Sequence, residues 1–419
     1  MLCAYAAPRM SQRVCFVLSG LGPSGGVRAV LNHARLLARD HGMSVTVAVP
    51  APDGEPPPAD VRIVSHDDAR GESFAIAVAT WWQTVAPMFA IPAERRGYFL
   101  QNFEERLYHR GDLERLAAPL THDLPLSFVT EGRWIAELLA ELRPEAPCRH
   151  VPNGVDKTLF TVPSVPPPRD GPLRILVEGS PRLWFKGVPE AIDAVGRMTE
   201  PHLLTLVCPE PPPAELGDRV DRVLGPLDHG EMPAVYSAAD VLLKLSRIEG
   251  VFTPPLEAFH CGATAVVWPV TGHDEYVRHR ENGIVADWDD LPGVARWLDL
   301  LARDDALLGD LRRGALETAR AWPSLEDSTE RMAAALREIA ASPQPAGDPA
   351  QLLGDLEAGL GEVRLELQGL RRERGESERA LEAAAAREAG LERRIAELEA
   401  ELARTLEARA RRLLASIRS

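Results

Sequence analysis

The sequence is poor in cysteine and in aromatic residues. Five of its 419 residues are cysteines, and aromatic side chains account for 5% of the chain. The cysteines are scattered and form no C-x-x-C pair, which argues against a disulfide framework and a structural zinc site. We therefore expect free thiols, packed as small apolar residues, at Cys3, Cys15, Cys148, Cys208 and Cys261.

Long apolar runs are missing as well. No segment approaches the roughly 20 consecutive apolar residues of a membrane-spanning helix. The N-terminal segment lacks a basic run followed by an apolar core, so it does not resemble a secretory signal. These two absences predict a cytoplasmic protein, either free or peripheral at the inner face of the plasma membrane.

Positive charge is in deficit, with a formal net charge of −15 at pH 7. Because phosphate backbones need a basic surface, this balance argues against a nucleic-acid partner. Lysine is the scarcer cation and occurs only at Lys157, Lys186 and Lys244. Each of these lysines is therefore a candidate for a specific role.

The body of the chain alternates short β-branched apolar runs with helical segments. This alternation is typical of parallel sheets covered by helices. The predicted strands lie at residues 13–18, 45–49, 74–79, 98–101, 127–130, 173–177, 203–208, 241–245, 264–268 and 283–286. The fold class is therefore α/β, with two Rossmann-like parallel-sheet domains that face a cleft, the natural ligand site of such a fold.

A proline-rich segment at residues 161–172 separates the two series of strands and is predicted to be a domain linker. We place the N-terminal domain at residues 1–165 and the C-terminal domain at residues 172–322. A further helix at residues 323–340 is predicted to pack back on the N-terminal domain. A second proline-rich stretch, residues 50–60, is predicted to be a surface loop.

The tail, residues 350–419, changes to a heptad pattern. Its register runs without a break from Leu353 to Leu402, which predicts a coiled coil. Polar residues at three core positions and two glycines weaken the middle of this segment. Self-association, or docking on a partner of an assembly, through residues 353–417 is one interpretation, and a single solvated helix remains the alternative.

The most informative segment for chemistry is SRIEGVFTPPLEAFHCG, residues 246–262. It places Glu249 on a loop after a strand and Glu257 in the helix that follows, with E-x7-E spacing. Proline suits the start of a helix because its missing N–H would have no partner there, and Gly262 suits the helix end. Glu257 is therefore predicted to lie in the first helical turn, where the positive end of the helix dipole favours anions.

A second segment, ILVEGSPRLWFKG at residues 175–187, is a strand followed by a loop with Arg182 and Lys186. Breaking a glycosyl–phosphate bond leaves negative charge on the departing phosphate, and fixed cations stabilise that charge. The arginine suits bidentate contact, whereas the lysine acts as a point charge. The alternative is that both side chains are solvated loop cations.

The third segment is GLGPSGG, residues 20–26, which contains G-x-G-x-x-G. The ribose-binding acid of a dinucleotide fold is missing, because the strand at residues 45–49 ends in a proline and the next acid is Asp53. We favour contact between the backbone of Gly25 and Gly26 and a phosphate. A purely structural turn and NAD binding remain open.

The E-x7-E spacing, the A-F-x-C-G that follows it and the VPNGVDKTLF segment resemble retaining GT-B glycosyltransferases of family 4, and the resemblance covers about residues 12–340. It implies that Glu249 lies near the transferred sugar and that Glu257 holds the nucleotide ribose. It also implies that Arg182 and Lys186 clasp the donor diphosphate. The candidate catalytic residues are therefore Glu249, Arg182 and Lys186.

The same resemblance extends the donor site to residues whose backbone approaches the nucleotide sugar, including a stretch near Gly225 that meets the base. The family's E-G-F-G-L-P is E-G-V-F-T-P here, so Phe252 stands where glycine is usual. The candidate donor-binding residues are Gly25, Gly26, Arg182, Lys186, Gly225, Leu227, Gly250, Val251, Phe252 and Glu257.

The resemblance implies a retaining, metal-independent hexosyltransferase that moves a sugar from a UDP, GDP or dTDP donor. The implied acceptor is a glycan or a lipid-linked glycan in surface polysaccharide synthesis. Protein cations replace a metal ion in that architecture, so we expect no metal and no other cofactor. The P-P-L-E ending of the key helix and residues 98–108 are most similar to rhamnan-type rhamnosyltransferases.

Two rival functions remain. One is a non-catalytic scaffold that presents a coiled coil, and the other is a sugar-nucleotide epimerase or hydrolase on a similar fold. No histidine matches the one that some family members place beside the sugar. We expect His33, His109 and His122 to be surface or core residues instead.

Overall fold

The structure, a computed structural model, describes residues 12–22, 24–52, 61–161, 171–343 and 348–417. Most of the predicted surface loop and of the predicted linker therefore lies outside the described residues. The chain divides into two compact units, residues 1–357 and 358–419. The first unit contains two parallel sheets with buried hydrophobic clusters packed on them.

The first sheet has seven strands in the order β3-β2-β1-β4-β5-β6-β7, all paired in parallel. Its strands are β1 Arg13–Val17, β2 Ser44–Val49, β3 Arg62–Ser65, β4 Phe74–Ala79, β5 Ala93–Leu100, β6 Ser127–Thr130 and β7 Cys148–His150. Its helices are α1 Gly25–His41, α2 His66–Arg70, α3 Val85–Phe89, α4 Leu113–Ala117 and α5 Arg133–Leu142. The central strands are apolar on both faces because helices cover a parallel sheet from both sides.

The second sheet has six parallel strands in the order β10-β9-β8-β11-β12-β13. Its strands are β8 Leu173–Glu178, β9 His202–Val207, β10 Arg222–Leu224, β11 Val241–Lys244, β12 Thr264–Val267 and β13 Gly283–Val285. Its helices are α6 Val188–Val195, α7 Ala214–Gly217, α8 Met232–Ser237, α9 Thr253–His260, α10 Leu291–Arg303 and α11 Asp305–Ala321. The two sheets confirm the predicted α/β class with two Rossmann-like domains.

The strand order of the second sheet reverses between β8 and β11. The chain moves outward from β8 to β9 and β10, and then returns to the other side of β8 with β11. In open α/β sheets, ligands bind outside the carboxyl ends of the strands at this switch point. The topology therefore directs attention to the residues that end β8 and β11.

The helix α12, Leu325–Ala341, returns the chain to the first sheet. A capping box begins it, in which the Ser324 hydroxyl accepts from the Asp327 N–H and the Asp327 carboxylate accepts from the Ser324 N–H. Met332 and Leu336 of this helix are buried in the hydrophobic cluster of the first sheet. The N-terminal core is thus completed by residues far along the chain.

The chain crosses between the two cores at two adjacent points. Val155 already belongs to a buried cluster of the second sheet, so the chain enters that core before the predicted proline-rich linker. The Val155 N–H donates to the carbonyl of Pro323 at 3.2 Å, and the Leu325 N–H donates to the carbonyl of Val155 at 3.1 Å. A Cβ at Gly154 would lie only 2.2 Å from the carbonyl oxygen of Ser324, so only glycine permits this approach.

The helix α13, Pro349–Ile417, runs from the first unit through the second. The tail is therefore a long helix, as predicted, whereas its pairing as a coiled coil stays a prediction. Among the helices of the described ranges, none combines the length and the hydrophobicity needed to cross a membrane.

Candidate functional site

A buried ion pair lies at the switch point of the second sheet. Glu178 ends β8 and Lys244 ends β11, the neighbouring strand. The Lys244 ammonium donates to the Glu178 carboxylate at 2.5 Å and to the Glu178 backbone carbonyl at 2.8 Å. Lys244 is 1% exposed. Burial raises the pKa of Glu178, but the charges of Lys244 and Lys186 outweigh it and hold this pKa below its ordinary value.

A second ion pair joins two of the predicted catalytic residues. Lys186 follows β8 at the end of a short 3₁₀ turn, and Glu249 lies on the loop after β11. The Lys186 ammonium donates to both carboxylate oxygens of Glu249, at 3.0 and 3.1 Å. Burial lowers the pKa of Lys186, and the charges of Glu249 and Glu178 raise it above its ordinary value. The loops after β8 and β11 thus meet over the switch point.

Glu257 lies deeper in α9 than the sequence suggests. The helix begins at Thr253, so Glu257 is its fifth residue and belongs to the second turn. The predicted first-turn position is wrong, because Thr253, and not Pro254, takes the first helical position. Glu257 therefore depends less on the helix dipole, whose effect is largest within the first turn.

The environment of Glu257 disfavours its charged form. The side chain is buried and accepts a hydrogen bond from the Tyr236 hydroxyl at 3.1 Å. Burial raises the pKa of Glu257 from 4.5 to about 7, and the charge of Arg28 partly opposes this. The His229 ring nitrogen lies 3.7 Å from Glu257, but burial lowers the pKa of His229 to about 4, so the ring is neutral at pH 7. The contact is therefore not an ion pair.

The N-terminal domain supplies the opposite wall through the start of α1. Ser24 caps this helix by accepting from the Val27 N–H at 3.2 Å, and Gly25 and Gly26 form its first turn. Arg28, further along the same helix, acts on the charges of both Glu257 and Glu178 in the second domain. The predicted glycine pair therefore begins the helix that carries Arg28, and its contact with a phosphate stays a prediction.

Gly250 is a point of tight approach between the two domains. A Cβ on Gly250 would lie 2.0 Å from the backbone oxygen of Gln101 in the first domain. The indole N–H of Trp134, also in the first domain, donates to the carbonyl of Gly250 at 2.7 Å. The loop that carries Glu249 is thus anchored across the cleft.

The side chain of Phe252 lies in the core, while the expected contact of its backbone with the donor stays a prediction. Its side chain is fully buried in a hydrophobic cluster of the second sheet, and its carbonyl accepts from the Tyr276 hydroxyl. Burial of this aromatic ring in the core is favourable because it removes a large apolar surface from water. Val251 beside it is half-buried, and its carbonyl accepts from the Thr253 N–H at 2.8 Å.

Arg182 is separated from the ion pairs. Its side chain is exposed on the loop after β8, where its N–H donates to the Ser180 hydroxyl at 3.2 Å. Trp184 of the same loop packs against His109 of the first domain, with ring centroids 5.2 Å apart. The structure therefore brings Lys186 to Glu249, while the clasp role of Arg182 stays a prediction.

Gly225 and Leu227 follow β10 at the edge of the second sheet. Gly225 has a φ of 123° and lies so close to the backbone of Cys208 that a Cβ would meet its oxygen at 2.0 Å. Leu227 packs partly against the hydrophobic cluster that contains Tyr236. The contact of this stretch with the base stays a prediction.

The three candidate histidines are surface and core residues, as expected. His33 and His122 are buried, and burial lowers the pKa of each to about 4. His33 shares a hydrogen bond of 3.0 Å with the Thr329 hydroxyl of α12. His109 is exposed.

The sequence interpretation missed Glu178, Lys244, Arg28 and Tyr236. One signal was available, because Lys244 is one of only three lysines and stands at the end of an otherwise apolar strand. The others become part of the site only when β8, β11, α1 and α8 are neighbours. In the part of the chain that the structure describes, no three His, Cys, Asp or Glu side chains form a group suited to a metal ion.

Comparison with known proteins covers the second domain best. Residues 173–304 match the family "Glycosyl transferases group 1". D-inositol 3-phosphate glycosyltransferase of Salinispora tropica is 37% identical over 121 residues, which are 28% of this chain and 24% of that protein. Glycogen synthase of Mycobacterium tuberculosis is 27% identical over 208 residues, 46% of this chain and 50% of that protein. The chain thus matches half or less of the length of these relatives.

A solved structure matches more of the chain. HepE of Anabaena, crystallised with UDP and glucose, covers 78% of this chain and 100% of its own, with a TM-score of 0.63 and 16% identity. At this identity the likeness shows the fold alone. The chain has the GT-B fold, and residues 173–304 of its second domain are similar to the group 1 glycosyl transferases.

Proposed function

We propose that this protein is a retaining, metal-independent glycosyltransferase that uses a nucleotide diphosphate sugar. The observation that carries this proposal is the Lys186–Glu249 ion pair over the switch point of a group 1 domain. This pair joins a cation suited to a diphosphate with an acid suited to sugar hydroxyls. Its place at the carboxyl edge of the sheet is the usual ligand position of the fold.

The proposed role of the cations is to stabilise the leaving group of the donor. When the bond between the sugar and the phosphate breaks, negative charge grows on the diphosphate. Lys186 in the crevice and Arg182 on the loop after β8 stabilise this charge, and the first turn of α1 offers backbone N–H groups at Gly25 and Gly26. These protein groups take the role that a metal ion has in other transferases.

The proposed role of Glu257 is to bind the nucleoside part of the donor. A buried carboxylate accepts hydrogen bonds from a ribose diol, and Tyr236 holds it in place through its hydroxyl. The stretch around Gly225 is the proposed place of the base. Glu249 then faces the transferred sugar, with Lys186 fixing the orientation of its carboxylate.

The proposed donor is a UDP, GDP or dTDP sugar. UDP is tested first because HepE, which shares the fold, was crystallised with UDP and glucose. A dTDP donor is tested beside it because of the sequence similarity to rhamnan-type rhamnosyltransferases. The proposed acceptor is a glycan or lipid-linked glycan of surface polysaccharide synthesis, met at the inner face of the plasma membrane. The tail is proposed to mediate self-association or docking in that assembly.

The experiment measures nucleotide binding and sugar turnover with purified full-length protein. Lys186→Ala is expected to lower both nucleotide affinity and turnover, the latter on the order of a hundredfold, because one preorganised cation is lost. Lys157→Ala is the matched control, since Lys157 is half-buried like Lys186 but donates to the carbonyl of Arg320. Wild-type protein that binds no nucleotide and transfers no sugar would favour the scaffold. Acceptor-independent release of sugar or of its epimer would favour a hydrolase or an epimerase.

A further inference from the structure

The second half of α13 carries an exposed apolar row. Leu381, Leu391, Ile395 and Leu398 are 71, 66, 56 and 49% exposed. Scattered exposed leucines need no explanation, but a row of them along one face of a helix marks a contact surface. This row occupies two alternating positions of a heptad, with Ala384 and Glu388 in the two places between Leu381 and Leu391.

The positions that flank the row are charged in a regular way. In heptad notation Leu381 and Ile395 occupy position a. Arg387 and Arg394 then occupy position g, and Glu392 and Glu399 occupy position e. The g and e residues lie beside the apolar seam of a coiled coil and form the salt bridges that set partner and orientation.

We propose that this segment of α13 pairs in parallel and in register with the same segment of a second copy of the chain. In a parallel pair, g of one helix faces e of the following heptad in the other. Arg387 then faces Glu392 of the second copy, and Arg394 faces Glu399, twice each by symmetry. Two identical helices therefore attract one another at these positions, and no second kind of chain is needed.

The antiparallel arrangement is disfavoured by the same residues. It sets g against g and e against e, so Arg387 would face Arg394 when Glu388 lies level with Leu391, and Glu392 would face Glu399 when Ile395 lies level with Leu398. Like charges in these positions destabilise a coiled coil and serve to exclude wrong pairings. The charge pattern therefore selects the orientation as well as the partner.

Glu388 is the polar residue of the seam, at position a between Leu381 and Ile395. A single polar residue at position a costs stability and fixes register. In the parallel pair Glu388 lies next to the g-position Arg387 of the second copy, which offsets its charge. A slipped register would place Glu388 against leucine or isoleucine instead.

The inference goes beyond the proposed function, because it fixes how two copies are arranged and holds whether or not the body transfers a sugar. The chain enters α13 from its N-terminal end, so parallel pairing attaches both bodies to the same end of the coil. A substrate with several reactive ends would gain from two linked copies of the body.

The first test is the subunit count of the full chain by light scattering after size exclusion. We expect wild type to be a dimer and Leu391→Glu combined with Leu398→Glu to be a monomer with unchanged nucleotide binding. A monomeric wild type at tens of micromolar, or a dimer that survives both substitutions, overturns the proposal. Because nucleotide binding is measured separately, loss of the dimer does not count against the transferase.

The second test uses charge exchange. Arg394→Glu is expected to weaken the dimer on the order of tenfold, since two attractive pairs become repulsive. Adding Glu399→Arg to the same chain restores attraction in the parallel pair and returns the dimer dissociation constant to near wild type. Arg393→Glu, one residue away on the outer face, is the control and leaves the dimer intact. Failure of the double variant to recover overturns the parallel arrangement.

Orientation is tested by oxidation of single-cysteine substitutions. Ala384→Cys at position d is expected to cross-link with itself, because d residues meet in a parallel, in-register pair. In an antiparallel pair, position d meets position a of the other helix. A mixture of Ala384→Cys and Ile395→Cys chains that cross-links only between the two variants would therefore overturn the proposal. Wild-type chain oxidised in the same way measures any background from the native cysteines.

Discussion

The ammonium of Lys186 lies 3.0 Å from one carboxylate oxygen of Glu249 and 3.1 Å from the other. A cation proposed for the diphosphate and an acid proposed for the sugar thus hold one another. A diphosphate must share Lys186 with Glu249, whereas sugar hydroxyls meet a carboxylate that is already oriented. The two residues should therefore respond differently to substitution.

Glu249→Gln is expected to separate binding from turnover. Once this carboxylate loses its charge, Lys186 is free to meet the diphosphate, so nucleotide affinity stays equal or rises while sugar transfer falls on the order of a hundredfold. Calorimetric titration with UDP and turnover with a UDP-sugar measure the two effects. Glu145→Gln, an exposed acid paired with Arg143 in the first domain, is the control. A parallel loss of affinity and turnover would contradict the assigned roles.

The Glu178–Lys244 pair should be required for stability as a pair. Glu178→Gln leaves a buried ammonium without its counter-charge and is expected to lower the free energy of unfolding by about 3 kcal/mol. This value is at the low end of the usual cost of removing one partner of a buried ion pair, because 26% of the Glu178 side chain is exposed. Adding Lys244→Met removes the stranded charge and should recover most of the loss.

Denaturant unfolding of the single and double variants measures this cycle. Arg70→Gln breaks an exposed pair with Asp67 and should cost less than about 1 kcal/mol. If the double variant is less stable than Glu178→Gln, the pair is not coupled as described.

Nucleotide affinity should depend on pH through Glu257. Its pKa of about 7 lies above the ordinary 4.5, so the fold favours the protonated form. The corresponding contribution to stability is complete below about pH 4.5 and is lost as the pH rises to about 7. The carboxylate accepts ribose hydroxyls better than the neutral acid, so affinity should rise several-fold from about pH 6 to pH 8.

The measurement is a titration with a UDP-sugar, whose diphosphate does not change charge in this window. Glu257→Gln should remove the pH dependence. Glu131 is the matched control, because burial raises its pKa to about 8 and it lies in the first domain. Glu131→Gln should leave the pH dependence of the affinity unchanged. If that dependence vanished in this variant, Glu131 and not Glu257 would be the titrating group.

Gly250→Ala tests the tight approach between the domains. The added Cβ would meet the Gln101 oxygen at 2.0 Å, so the loop that carries Glu249 must move. A displacement of about 1 Å is expected to lower turnover on the order of a hundredfold. Gly230→Ala adds a methyl group where nothing lies within 4 Å and is the control. Equal activity of both variants would show that this approach does not position Glu249.

Several buried strands were predictable nearly to the residue, whereas β5 begins at Ala93 and not at the predicted Tyr98, because charged residues occupy its first half. Phe74–Ala79 and Ser127–Thr130 have the predicted bounds because their apolar runs stop abruptly at polar or turn residues. Of the short edge strands, β13 was predicted, whereas β3, β7 and β10 were not. Cys148–His150 contains an arginine and a histidine and is half-buried, so no apolar run marks it. The helix Asp305–Ala321 was missed because a single residue separates it from α10 and two glycines interrupt its pattern.

The site was predictable where chemistry and local sequence agree. Lys186 and Glu249 each follow an apolar strand, so the residue pattern alone assigns their loops to the edge of the sheet. Whether Glu257 lies in the first or the second helical turn depends on a difference of one residue in where the helix begins. Sequence patterns do not resolve helix ends to one residue. The Glu178–Lys244 pair forms because β8 and β11 are neighbours, and the local sequence around either residue does not determine the order of the strands.

The paired crossings at Val155 and Ser324 determine how the two domains are able to move. Because the two crossing segments are hydrogen-bonded to one another, they serve as a single pivot. We expect any opening to be mainly a rotation about this pivot. In a rotation the displacement of a residue grows with its distance from the pivot. Residues near the pivot therefore move least, and distant loops move most. A donor can exchange in this way without disturbing the packing of either core.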